Sequence, residues 1–193
     1  MGRISAFGLK LKTDVRPTSN ASPAECAVPL SSALQPRLVA SAYFCDAYRA
    51  PLSAPHASVV DIFFSIFGHH PRWIKLALLL RNRAAKWCGL SVAADADILQ
   101  PRRLTSYKTG DTIGPWPIFS ITDNELIAGR NNGHLDFRLS ILRELEAQHP
   151  TVVVSTICVT HNLFGKAYLF IIIPFHRWGV KYIIANALRA GRL

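Results

Sequence analysis

The alternation of apolar and polar positions is strictest across residues 134–142. Leu135, Phe137, Leu139 and Ile141 fall on one side of an extended chain, and His134, Asp136, Arg138 and Ser140 on the other. This two-residue period predicts a strand with one buried face. Similar short runs surround it. Residues 116–121 read as a strand, 122–124 as a turn and 125–129 as the partner strand. Arg130, Asn131, Asn132 and Gly133 carry hairpin chemistry, because Asn and Gly tolerate positive φ. A second turn through Gln148, His149 and Pro150 leads to the β-branched run at 151–159. Connections this short make the strands antiparallel neighbours.

Other segments follow a helical period. Residues 58–67 are apolar nearly all round and stop at Gly68; a short buried helix is the leading reading, with a strand as the alternative that periodicity alone does not separate. From Pro71 a longer amphipathic helix is expected, with Arg72, Lys75, Arg83 and Lys86 on a polar stripe. Trp73, Ile74, Leu76, Ala77, Leu80, Ala84 and Trp87 fill much of the remainder, and Gly89 stands at the expected C-cap. In the tail, residues 169–173 have strand composition and Pro174 opposes a helix. Yet Phe164, Tyr168, Ile171, Phe175, Trp178 and Tyr182 recur every three or four residues, which only a helix face produces. The expectation is a long helix, kinked or interrupted near Pro174, whose aromatic line packs as one continuous face on the sheet. Residues 39–52 read as a strand ended by Pro51 and Pro55, and 90–115 as a connection. Residues 1–38, rich in Pro, Ser and Ala, read as a flexible or loosely docked extension with at most one short strand. Residues 39–193 then form a single domain.

Composition sets the limits. The chain has 193 residues, half of them hydrophobic and 18% charged, enough for one sizeable core and too apolar for general disorder. The net charge of +10 suits an anionic partner, and equally suits simple solubility. Four scattered cysteines, Cys26, Cys45, Cys88 and Cys158, form no CxxC pair, so neither a zinc site nor a disulfide framework is expected, and a reducing cytoplasm is the simplest setting. No secretory h-region opens the chain. The most apolar run, 163–175, contains Lys166 and Pro174 and is too short for a bilayer.

The ordered motifs narrow the field. Gly110-Asp-Thr-Ile-Gly114, Glu125-Leu-Ile-Ala-Gly129, His134-Leu-Asp-Phe-Arg138 and His161-Asn-Leu-Phe-Gly165, followed by Tyr168, Pro174, Phe175 and His176, resemble the bacterial family named domain of unknown function 2867. The resemblance spans roughly residues 40–190. It implies an α+β helix-grip fold similar to START and Bet v 1 proteins, in which a curled antiparallel sheet grips a long C-terminal helix. Where the family has an acidic–basic turn, this chain has Asn131, Asn132 and Gly133, which weakens any role for charge there. Similar domains are appended to nucleotide-binding oxidoreductase domains, but no Gly-x-Gly-x-x-Gly is present here.

Candidate chemistry is sparse. On the polar face, Asp136 could orient His134 as an acid–base group or pair with Arg138; a solvated, ion-paired strand face has the same pattern. His161 sits at the strand-to-helix junction beside Asn162, a natural N-cap, and could stand at a pocket mouth. His176 is expected to point toward solvent beside Arg177. His69 and His70 lack further ligands at metal spacing, and neither H-E-x-x-H nor G-x-S-x-G occurs, so no metal, cofactor or activated nucleophile is expected. The leading expectation is a binding module that holds a small apolar or amphipathic ligand between sheet and helix, lined by Tyr168, Ile171, Phe175, Trp178 and Tyr182. Its alternative is a cyclase- or isomerase-type enzyme using His134 with Asp136, or His161 with Tyr168. A third reading is a surface-interaction protein that uses the basic stripes at 72–86 and 177–192 on membranes or nucleic acid. Nucleic acid is disfavoured, since no recognised motif accompanies those stripes.

Overall fold

Alternation and turn chemistry place a meander in the second half of the chain, and a computed structural model contains it. The structure describes residues 22–34, 37–69, 71–87, 103–145 and 149–193. In chain order the elements are β1 (Ala24–Glu25), α1 (Arg37–Ser41), β2 (Phe44–Pro51), α2 (Val59–Phe67), α3 (Arg72–Trp87), β3 (Thr112–Ile113), β4 (Trp116–Ile121), β5 (Glu125–Asn131), β6 (Leu135–Glu144), β7 (Thr151–Thr160) and α4 (Leu163–Arg189). The C-cap expected at Gly89, Cys88, His70 of the histidine pair, Gln148 of the second turn and residues 1–21 lie outside the described residues, as do the side chains of Arg72, Ala77, Ala84 and Trp87.

The strands form one sheet in the order β1-β2-β7-β6-β5-β4-β3, with every pairing antiparallel. The sheet is curled but unclosed, and with α4 it makes an α+β, helix-grip-like fold. Its inner face carries Tyr48, Ala128, Leu139, Ile141 and Val154, packed against α2 and the second half of α4. Its outer face carries Ala47, Ile127, Val153 and Ile157, covered by Val28 and Leu34 from residues 22–34. The β6 alternation is therefore satisfied on both sides of the sheet.

The covering segment is anchored by a buried carboxylate. Glu125 accepts from the Ser32 hydroxyl at 2.6 Å, the Ala33 N–H at 2.8 Å and the Ser140 hydroxyl at 2.5 Å. Three donors on one carboxylate offset much of its desolvation.

Two expectations change. The segment expected as a strand from residue 39 opens as the helix α1, and extended structure starts only at Phe44. Leu38 and Val39 both pack against the outer-face cluster, whereas a strand would send adjacent side chains to opposite faces. The long helix is also unbroken from Leu163 to Arg189. Pro174 lies on its exposed side, where water can reach the carbonyl that the missing N–H leaves unpaired.

Local signals fix the helix starts. Ser58 and Asp61 form a reciprocal capping box at α2. Asn162 caps α4, its side-chain oxygen accepting from Gly165 N–H at 3.0 Å. Gly165 is needed at that point, because a Cβ there would lie 2.2 Å from the His134 carbonyl oxygen. The helix thus begins hard against the β5–β6 hairpin.

Candidate functional site

The sheet register arranges the inner-face side chains in rows. One row runs Arg130, Phe137, Cys158 and Phe44 across β5, β6, β7 and β2. The next runs Ile118, Ala128, Leu139, Thr156 and Asp46, and the third Ile121, Leu126, Ile141, Val154 and Tyr48. The first half of α4 lies over the β2–β7 end of these rows, where Leu169 packs on Phe44, Leu135 and Cys158. At the other end Arg130, Phe137 and neighbouring Trp116 stay half-buried. The Trp116 and Phe137 rings are 5.7 Å apart, and the Arg130 guanidinium donates to the Pro115 carbonyl at 2.8 Å.

A polar cluster lies under the helix. Asp46 projects from the inner side of β2 with its side chain 1% exposed. It accepts from the Tyr48 hydroxyl at 3.1 Å, and its other oxygen lies 3.4 Å from His176 Nε2 on α4. Thr156, also buried, is directly opposite Asp46 on β7. Burial, reinforced by the Asp46 charge, pushes the Tyr48 hydroxyl well above its ordinary pKa. The ring of Phe44 meets the His176 imidazole edge-on at 5.4 Å, and Arg177 stands over Phe44 at 5.6 Å. His176 therefore turns to the sheet, not to solvent as its neighbour Arg177 had suggested. A carboxylate, a hydroxyl and an imidazole in an apolar surround can fix a ligand's polar end or hold a proton.

This cluster was absent from the candidate residues, although the sequence carries its signal. Phe44, Asp46, Tyr48 and Ala50 alternate onto one face, so Asp46 is an acid at an inward position. His176 is the one polar interruption of the line Leu169, Val180, Ile183 and Ala187.

The expected aromatic face of α4 is corrected. The line against the sheet and α2 is Gly165, Leu169, Val180, Ile183, Ile184 and Ala187. Ile171, Phe175 and Trp178 are 63%, 71% and 56% exposed, while Tyr168 and Tyr182 are half-buried. Both lines share the helical period, so spacing alone does not say which meets the sheet. The small residues Gly165 and Ala187 let one face approach closely, and the bulky line is left outside. It meets α3 instead: the Trp73 ring lies 5.1 Å from Trp178 and 5.2 Å from Tyr182.

The outer-face candidates pair differently from either expectation. Asp136 Oδ1 lies 3.2 Å from His161 Nε2, joining β6 to the end of β7. His134 is 2.9 Å from the Asn162 side-chain nitrogen and 4.7 Å from the Phe164 ring, so it braces the start of α4. Arg138 covers the Phe119 ring at 3.6 Å and donates to the Phe137 carbonyl; burial lowers its pKa, with Asp136 opposing the shift. His161 stands on the outer side while Tyr168 packs with the inner-face cluster Phe44, Leu135, Cys158 and Leu169, so the sheet separates them. Among the described residues, no three His, Cys, Asp or Glu converge as a metal site, and no helix is long and apolar enough to cross a membrane.

Comparison with known proteins places this geometry in one family. No curated protein and no solved structure matches the chain. The family model described as Protein of unknown function (DUF2867) matches residues 38–183, which include the Asp46–His176 and Asp136–His161 pairs and most of α4, and the chain belongs to that family.

Proposed function

We propose that the chain is a binding module for a small apolar or amphipathic molecule held between the inner face of the sheet and α4. The observation that carries this reading is the half-buried row of Trp116, Arg130 and Phe137, left partly uncovered while the rows beside it are sealed. An apolar body would lie on Trp116, Phe137 and Tyr168, beside the sealed row that contains Ala128 and Leu139. The Arg130 donors not engaged by Pro115 would suit a carboxylate or phosphate end. Ile171, Phe175, Trp178 and Tyr182 would then stand at the rim.

Titration of the purified protein with a fluorescent long-chain fatty acid tests the seat. Wild type should saturate, and Arg130→Ala should bind about tenfold more weakly with the fold intact by circular dichroism. Folded protein that is empty by native mass spectrometry and silent to fatty acids, sterols and aromatic acids would sink the idea.

The Asp46–His176 pair favours a second reading, an isomerase- or cyclase-type catalyst in which His176 takes and returns a proton at the β2 end of the inner face, under α4. Turnover that disappears in His176→Gln while ligand affinity is retained would support it. Unaltered ligand recovered from every incubation would leave binding alone.

A further inference from the structure

Helices α3 and α4 carry, in sequence, nine Lys and Arg residues and not one Asp or Glu. They also carry much of the protein's exposed apolar surface. On α3, Trp73, Leu76 and Leu80 share one face and are 43%, 58% and 57% exposed. On α4, Ile171, Phe175 and Trp178 form the outward line described above. The two lines join where Trp73 touches Trp178. Arg83 and Lys86 on α3 and Arg177 on α4 are exposed alongside; Lys181, also exposed, is paired with Glu25 at 3.1 Å, and Phe170, 77% exposed, stands among the α4 cations.

We infer that this two-helix face docks on an anionic lipid surface, with its aromatic and aliphatic residues entering the interface and its Lys and Arg meeting the headgroups. An exposed apolar line that continues from one helix to the next calls for an occupant. Its charge selects which one. A second copy of the chain would bring cations against cations, with no carboxylate on either helix to pair them. Nucleic acid would satisfy the cations and could stack on Phe170, Phe175 and Trp178, but it would leave Leu76, Leu80 and Ile171, 58%, 57% and 63% exposed, without an apolar partner. A membrane surface satisfies both, because aliphatic and Trp side chains gain by entering the headgroup–acyl boundary while Lys and Arg gain from anionic lipid. Neither helix is apolar enough to cross a bilayer, so the protein would lie on the surface. This inference does not depend on a ligand in the sheet.

Vesicle co-sedimentation tests it with the full chain. Wild type should sediment with vesicles of equimolar phosphatidylcholine and phosphatidylglycerol, not with phosphatidylcholine alone, and should be released as salt rises. Ile171→Ser with Phe175→Ser, both far from the core, should weaken sedimentation about tenfold without changing the melting temperature. Brominated lipid should quench tryptophan emission, and the quenching should fall in Trp178→Phe. Three results would overturn the inference. One is equal binding to neutral and anionic vesicles, or to neither. Another is full binding by the double variant. The third is a dimer, or an oligonucleotide complex, that the double variant abolishes while vesicles remain unbound.

Discussion

The His176 imidazole on α4 and the Asp46 carboxylate on β2 approach to 3.4 Å, joining helix to sheet across 130 positions of chain. Asp46 is sealed from water, so its partners matter more than those of a surface ion pair. His176→Ala should destabilise the protein by about 1–3 kcal/mol in chemical denaturation. Asp46→Asn, which keeps hydrogen-bonding capacity, should cost less. A double-mutant cycle between them should show coupling above about 0.5 kcal/mol. Strict additivity would reduce the pair to neighbours without an energetic link.

Tyr48 gives the fold a limit at high pH. Burial first, and the Asp46 charge second, raise its hydroxyl above the ordinary 10.0. In alkali the unfolded chain loses this proton before the folded chain does, so the contribution to stability is complete below pH 10.0 and declines above it. Ultraviolet titration should find one phenol that ionises only as the protein unfolds. In Tyr48→Phe, stability should fall less between neutral pH and strong alkali. An unchanged alkaline slope in that variant would count against Tyr48 as the source.

The strands were legible because each side of β6 has its own burial partner, so alternation survives in the sequence. Asn162 was legible as a cap because capping needs only neighbours in the chain. The orientation of α4 was not, because Leu169–Val180–Ile183 and Ile171–Phe175–Trp178 have the same period. Hydrophobicity favours the aromatic line, whereas close approach at Gly165 and Ala187 favours the other. The Asp136–His161 and Asp46–His176 pairs were hidden for a different reason. Each depends on strand register and on where α4 lands, neither of which local spacing encodes.

Gly165 and Gly179 make a matched test of that landing. A Cβ at Gly165 would strike the His134 carbonyl oxygen, which is backbone and cannot swing aside, whereas a Cβ at Gly179 meets nothing within 4 Å. Gly165→Ala should lower the melting temperature. Gly179→Ala, also within the helix, should raise stability by up to about 1 kcal/mol through helix propensity. Equal effects would mean that α4 does not press on the hairpin at its start.

The capping box of α2 predicts acid sensitivity at the opposite end of the scale. The Ser58 hydroxyl, followed by Arg103, holds the Asp61 carboxyl below its ordinary 3.8. Its share of stability is therefore complete above pH 3.8 and is lost as pH falls through the lowered value. Ser58→Ala should cost about 1 kcal/mol at neutral pH. Nuclear magnetic resonance titration of the Asp61 carboxyl should then show its midpoint moving back up. A midpoint unmoved in the variant would assign the shift to Arg103.

The matched family region starts at residue 38, so it keeps Leu38 and Val39 of the outer-face cover but not Val28 and Leu34. A chain trimmed to the family boundary would lose β1, which pairs with Tyr48 and Arg49, and would lengthen the uncovered edge of β2. It would also partly uncover Ala47, Ile127, Val153 and Ile157, and would take two of the three donors from Glu125. The fragment that best represents the family would therefore be a poor guide to this member, prone to pair edge to edge with itself.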